Sequence, residues 1–159
     1  MAIKVGDSLP SVVVHNKHPE DNVNVLEHFK KLNKAILIGV PGAFTPGCSK
    51  SHLPSYIERH QEIKNKGIEE VVCVTVNDAF VTQAWSEATK AEGKVTILAD
   101  FQADLAKALG LDFPAAPLGG TRVKRFAAYI ENGVVKKLDV EPDAVGLSCS
   151  LANNFLDSI

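Results

Sequence analysis

The strongest constraint on the fold of this chain is the order of its elements. Short apolar runs alternate with helix-patterned segments, and the series ends in an Asn-Gly hairpin. Ala35 to Val40 is a short apolar run that reads as a buried strand. From Ser49 to Lys66, Leu53, Tyr56, Ile57, His60 and Ile63 recur at helical spacing. Lys64 and Lys66 fall in the last turn, Gly67 follows as a C-cap, and Pro54 predicts a kink. Val71 to Val76 is a second, β-branched strand. Asn77-Asp78 then caps a helix carrying Phe80, Val81, Ala84, Trp85 and Ala88, with Phe80 and Trp85 expected on one core-facing side. Val95 to Ala99 is a third strand, and Leu105 to Leu109 is a short helix stopped by Gly110. Asp112 to Thr121 is expected to be a Pro/Gly-rich loop. Phe126 to Ile130 and Val134 to Val140 flank Asn132-Gly133, a strong hairpin signal, and Leu151 to Ile159 is a last helix.

A parallel βαβ half followed by an antiparallel ββα half implies an α/β, thioredoxin-like fold. Its central mixed sheet should carry helices on both faces. The 159 residues suit one domain, residues 1–159. Net charge is -2 and the basic runs are short, such as Lys30-Lys31 and Lys136-Lys137, so no nucleic-acid partner is expected. No apolar run approaches the roughly 20 residues of a membrane helix, and Met1 to Pro10 lacks the apolar stretch of a signal peptide. The three cysteines, at 48, 73 and 149, include no C-x-x-C pair. That is a poor disulfide framework and a poor zinc site, and neither a metal nor a cofactor is expected. A reducing compartment is expected, the cytoplasm, or the mitochondrion if a transit peptide has been left off.

The chemistry should sit where the first strand hands over to its helix, at the carboxyl ends of the strands. That turn reads Pro41-Gly42-Ala43-Phe44-Thr45-Pro46-Gly47-Cys48. Thr45 suits an N-cap and Pro46 the first helical position, which puts Cys48 in the first turn. Free N–H groups and the positive end of the dipole favour a thiolate there. They are insufficient alone. An unperturbed thiol is only about 3% ionised at pH 7, and a helix terminus supplies roughly 0.3–1 kcal/mol, at best about 2, against ~1.4 kcal/mol per pKa unit. A nearby cation is needed as well. Gly42 to Ser49 also fits a phosphate-binding G-x-x-x-x-G-K-S, except that Cys48 replaces the lysine and Pro46 deletes an N–H, so nucleotide binding is set aside.

The run P-G-A-F-T-P-G-C-S resembles the active-site loop of peroxiredoxins, specifically the atypical two-cysteine subfamily of the peroxiredoxin five type. The resemblance runs nearly end to end. It includes Ser49 to Pro54, Val76 to Val81, Ala91 to Val95, Lys124-Arg125-Phe126, Val140 to Asp143 and Gly146 to Leu151. It implies a peroxidatic thiolate at Cys48, a ligand-orienting hydroxyl at Thr45, a shielding Pro41, an activating guanidinium at Arg125 and a resolving Cys149. It implies a peroxidase for hydrogen peroxide and organic hydroperoxides, with peroxynitrite a further candidate. Thioredoxin would be the reductant, and the resemblance leaves room for a non-obligate homodimer. The chain ends Asp157-Ser158-Ile159, not an S-K-L-like signal, so a peroxisomal address is not expected.

Other residues read more plainly. Cys73, between valines in a strand, is expected to be a buried structural thiol. Arg122, at the loop edge, is second to Arg125 for the cation. His52, four residues after Cys48, is a candidate base but reads better as a hydrogen-bonded structural histidine. Two rivals to a peroxidase are a thioredoxin-type disulfide oxidoreductase, against which the missing C-x-x-C argues, and a redox-sensing interaction protein. Insulin reduction separates the first rival, and catalytic turnover of peroxide separates the second.

Overall fold

A computed structural model of the chain describes residues 2–159. Among these described residues, nine strands and six α-helices follow in chain order. They are β1 (Val13–His15), β2 (Asn22–Asn24), α1 (Val25–Lys30), β3 (Ala35–Gly39), α2 (Leu53–Glu58), α3 (His60–Asn65), β4 (Glu70–Thr75), α4 (Ala79–Thr89), β5 (Thr96–Ala99), α5 (Asp104–Leu109), β6 (Asp112–Ala115), β7 (Gly120–Val123), β8 (Phe126–Glu131), β9 (Val134–Val140) and α6 (Ala152–Phe155). Seven strands form one sheet in the order β2-β1-β5-β4-β3-β8-β9, and β6 pairs with β7 separately. The β3–β4 and β4–β5 pairings are parallel, while β8 runs antiparallel to both β3 and β9. This is the α/β, thioredoxin-like mixed sheet expected from the order of elements.

The strand alternation decides which helix covers which face. Leu37, Val72, Val74, Leu98, Ala128 and Ile130 pack with Phe29 of α1 and with Leu105, Ala106 and Leu109 of α5. Their neighbours Ile36, Ile38, Val71, Cys73, Ile97 and Ala127 face the other way, against α2, α3, Trp85 of α4 and Phe155 of α6. Burying each such Val, Ile or Leu is worth roughly 1.5–3 kcal/mol, so a register slip that exposed one face would be costly. The β8–β9 turn follows its sequence signal. Asn132 and Gly133 have φ of 51° and 82°, as a two-residue type I′ hairpin requires.

Four expectations are corrected. The segment after Cys48 is not one helix kinked at Pro54. A π-helical turn spans Cys48–His52, Pro54 sits harmlessly in the first turn of α2, and the break falls at Arg59 between α2 and α3. Residues 112–121 are not a loop, because Asp112–Ala115 pairs with Gly120–Val123. Pro114 is accommodated because this ribbon has only two strands. The last helix is short, Ala152–Phe155, and tightens into a 3₁₀ turn over Leu156–Ser158. Phe80 is not core. Residues five apart on a helix of 3.6 residues per turn point about 140° apart. Trp85 is therefore buried with Ala79, Thr82 and Ser86, while Phe80 is 65% exposed and meets the edge of His18.

Candidate active site

The register of the central strands brings the site together. Phe126 of β8 lies opposite Gly39 of β3. A Cβ at Gly39 would sit 2.2 Å from the Phe126 ring, so only glycine lets the ring lie across this strand. Arg125, the residue before Phe126, therefore falls beside the carboxyl end of β3, where the Pro41 to Cys48 turn begins. Phe126 also pairs with Val140 of β9, and the Glu141 amide donates to the Arg125 carbonyl at 3.0 Å. Arg125 and Glu141 thus stand side by side at the same end of the sheet.

The turn itself is tied from several sides. Pro46 and Gly47 are already helical, as expected, and the Ser49 amide donates to the Thr45 carbonyl at 2.9 Å, so Thr45 stands at the helix start. Its side chain accepts no first-turn amide, however, and does not act as the expected N-cap. The Thr45 hydroxyl donates to the Gly42 carbonyl at 2.7 Å. With its proton committed there, the hydroxyl can only accept from a ligand. Asn77, just past β4, uses one oxygen to accept from the Ala43 amide (3.0 Å) and the Thr75 hydroxyl (2.8 Å). Arg122 donates to the carbonyls of Pro41 (3.1 Å) and Leu118 (2.9 Å), so it steadies the loop. Trp85, buried under the turn, donates its indole N–H to the Ser49 hydroxyl at 2.9 Å. Phe44 has φ of 64°, a strained backbone for a bulky residue, and its ring is 55% exposed.

Cys48 is fully buried at the start of the π-helical turn, and all three cysteines are free. Arg125 is 3% exposed and is the cation that faces the sulfur. Its Nη2 donates to Cys48 Sγ at 3.3 Å, its Nη1 to His52 Nδ1 at 3.1 Å and its Nε to the Val145 carbonyl at 3.1 Å. A guanidinium cannot accept, so His52 Nδ1 is the acceptor and the ring proton sits on Nε2, which donates to the Ser150 carbonyl at 3.1 Å. Burial, and then the Arg125 charge, push the His52 pKa down to about 3. His52 is therefore neutral, with both nitrogens engaged. It is a structural partner of the guanidinium, not a base.

The segment bearing Cys149 is held by a residue that sequence reasoning missed. Glu141 is 1% exposed. Burial raises its pKa, but hydrogen bonds from Ser148 and Ser150 outweigh that and hold it at about 2. Its oxygens accept from the amides of Ser148, Cys149 and Ser150 at 3.0, 2.9 and 2.8 Å, and from the hydroxyls of Ser148 and Ser150 at 2.6 and 2.7 Å. The Ser150 carbonyl also accepts from the Tyr56 hydroxyl at 2.7 Å. Cys149 is half-buried, and burial and then the neighbouring Glu141 charge raise its thiol above the usual range. Cys73 is fully buried on β4, where desolvation pushes its thiol far up, in keeping with a structural residue. No cluster of metal-ligating side chains occurs among the described residues. No described helix is long and apolar enough to cross a membrane.

Fold and site together define a thioredoxin-like protein with a buried cysteine under an arginine at a strand-to-helix turn. The redoxin family profile matches residues 4–155. The chain is 42% identical to peroxiredoxin-2E-2, chloroplastic, of Oryza sativa subsp. japonica, over 87% of its own length and 65% of that relative's. It is 38% identical to peroxisomal membrane associated protein 20 of Schizosaccharomyces pombe, over 99% of both chains. Reduced Prx3 from Vibrio vulnificus in complex with H2O2 superposes with a TM-score of 0.91 at 42% identity over 99% of both chains. Peroxiredoxin 5 from Alvinella pompejana superposes with a TM-score of 0.82 at 35% identity over 93% of this chain and 96% of that one. The chain belongs to the peroxiredoxins, of the peroxiredoxin five type, and is an enzyme of the thiol peroxidase class.

Proposed function

We propose that the enzyme reduces hydrogen peroxide and organic hydroperoxides through Cys48, resolves the product with Cys149 and is recycled by thioredoxin. The observation that carries this reading is the 3.3 Å hydrogen bond from Arg125 Nη2 to Cys48 Sγ in a buried setting. The helix start alone falls short of ionising a thiol, and this guanidinium supplies a charge of the required sign. The Cys48 thiolate attacks one peroxide oxygen and the O–O bond breaks. The leaving alkoxide or hydroxide takes up a proton, and Cys48 becomes a sulfenic acid. Arg125 stabilises the developing oxygen charge, and the Thr45 lone pairs orient the peroxide by accepting its O–H. Pro41 shields the sulfur.

The Cys149 thiolate then attacks the sulfenic sulfur. A disulfide forms, and the sulfenic oxygen leaves as water. Buried Cys48 is out of reach of a folded dithiol protein, whereas Cys149 is half-buried. The reductant therefore attacks the Cys149 side. Phe44, Val145 and Leu147 are exposed apolar side chains of the two cysteine-bearing loops and offer it a landing surface. This cycle belongs in a reducing compartment such as the cytoplasm.

The test is peroxide consumption coupled to thioredoxin and its reductase, joined to peptide mapping under non-reducing conditions. The reading expects one intramolecular Cys48–Cys149 link in the wild type, and a Cys149→Ser variant that is oxidised once and then stalls with thioredoxin. A link between two chains, or undiminished turnover of Cys149→Ser, would overturn it.

A further inference from the structure

Arg125 and Glu141 are backbone neighbours of opposite charge, yet no ion pair joins them among the described residues. The Arg125 N–H groups go to a sulfur, a neutral imidazole and a carbonyl. The Glu141 oxygens go to five neutral donors, all within Ser148, Cys149 and Ser150. A direct pair would have quenched the cation that Cys48 needs. The carboxylate is instead fully occupied in folding the Cys149 segment around itself. The fit is close: a Cβ at Gly146 would stand 2.8 Å from Asp143 Oδ1 and 3.2 Å from Glu141 Oε1. The same segment reaches the site from its outer side. The Val145 carbonyl holds Arg125, and the Ser150 carbonyl holds His52 and Tyr56.

We propose that Glu141 is a positioning residue for the resolving step, a clamp that keeps Cys149 folded back until Cys48 is oxidised. The proposal rests on the reading of Cys149 as the resolving thiol. Two effects of the clamp act in the same direction. Five hydrogen bonds to an ionised acceptor must open before the Cys149 backbone can move, and bonds of this kind are the strong ones. The negative charge beside Cys149 also disfavours the thiolate that must attack the sulfenic sulfur. Glu141 therefore slows disulfide formation and lengthens the life of the sulfenic acid. During that life a second peroxide can oxidise Cys48 to the sulfinic acid, the peroxide's other oxygen leaving as water or alcohol. The clamp sets the partition between these two fates.

The experiment is a pulse of peroxide followed by acid quench, alkylation and mass spectrometry of the Cys48 and Cys149 peptides. It compares the wild type, Glu141→Gln and Ser148→Ala, with amide exchange measured at Cys149 and Ser150. Glu141→Gln removes the charge and sets amide N–H groups against N–H donors. Its disulfide is expected to form about tenfold faster or more, with correspondingly less sulfinic acid and faster exchange at both amides. Ser148→Ala removes one donor from an exposed residue and is expected to shift the partition the same way by less. It keeps the test decisive if Glu141→Gln does not fold. A residue that merely stabilised the fold would lower the melting temperature and leave the partition unchanged. That result, or a shift toward sulfinic acid, would overturn the proposal while the wild-type Cys48–Cys149 bond still formed. If the wild type forms no such bond, the reading of Cys149 falls and the proposal falls with it.

Discussion

Removing the Arg125 side chain should slow the reaction with peroxide at least about tenfold and cost stability as well. The side chain is 3% exposed and makes three hydrogen bonds, one of them to Cys48 Sγ at 3.3 Å. A hydrogen bond to a charged group is worth about 1.5–3 kcal/mol. With ~1.4 kcal/mol per factor of ten, Arg125→Ala should lower the oxidation rate constant roughly 10- to 150-fold. Stability should fall too, since the fully buried His52 Nδ1 loses its donor, at about 1–3 kcal/mol for a group left buried and unpaired, whereas the carbonyl of exposed Val145 can turn to water. Arg122→Ala is the matched control. Its guanidinium reaches the carbonyls of Pro41 and Leu118, so it should cost a small factor through loop disorder. Stopped-flow oxidation under single-turnover conditions reads the rate, and urea denaturation reads the stability. A rate for Arg125→Ala within about threefold of wild type, far short of the tenfold that one charged hydrogen bond supplies, would refute the reasoning. So would a larger loss in Arg122→Ala.

Two further perturbations follow from the buried groups. Cys73→Ser should leave the oxidation rate unchanged and cost about 1–3 kcal/mol in urea denaturation, because a hydroxyl on the buried β4 strand must find a partner. A slower enzyme of full stability would contradict that. For His52, the folded pKa of about 3 lies below the ordinary 6.5, so the unfolded chain takes up its proton first. Stability should therefore fall as pH drops below about 6.5, with a slope approaching ~1.4 kcal/mol per pH unit from this one group. His52→Gln should remove that part of the slope, and denaturation midpoints between pH 7 and pH 4 that stay parallel in the two proteins would argue against it.

The parts of the fold readable in advance were those with local causes. The Pro41 to Cys48 turn was legible because Pro, Gly and Thr each suit one position at a strand-to-helix junction. The Asn132-Gly133 turn was legible because two consecutive positive φ angles favour that pair. Phe80 is hydrophobic but lies off the buried face of α4, so its residue type alone points to the core while its angle around the helix points to solvent. The break at Arg59 has no Pro or Gly to announce it. The pairing of residues 112–123 was hidden by Pro114 and by the absence of a strand-like alternation. At the site, Cys48 was legible from its place in the strand-to-helix turn and Arg125 through the resemblance, but their supports were legible from neither. Asn77, Ser49 with Trp85, and Glu141 act through contacts 34, 36 and 7 to 9 residues distant in sequence. Asn77 and Glu141 carry polar side chains that read as surface until the fold buries or binds them.

The central claim is that Cys48 is the nucleophile. It is tested most directly by peroxide consumption coupled to thioredoxin, comparing the wild type with Cys48→Ser, with circular dichroism to show that both are folded. The account predicts that Cys48→Ser keeps its fold and consumes no peroxide above background, while Cys73→Ser turns over normally. Turnover of folded Cys48→Ser near the wild-type rate would contradict it.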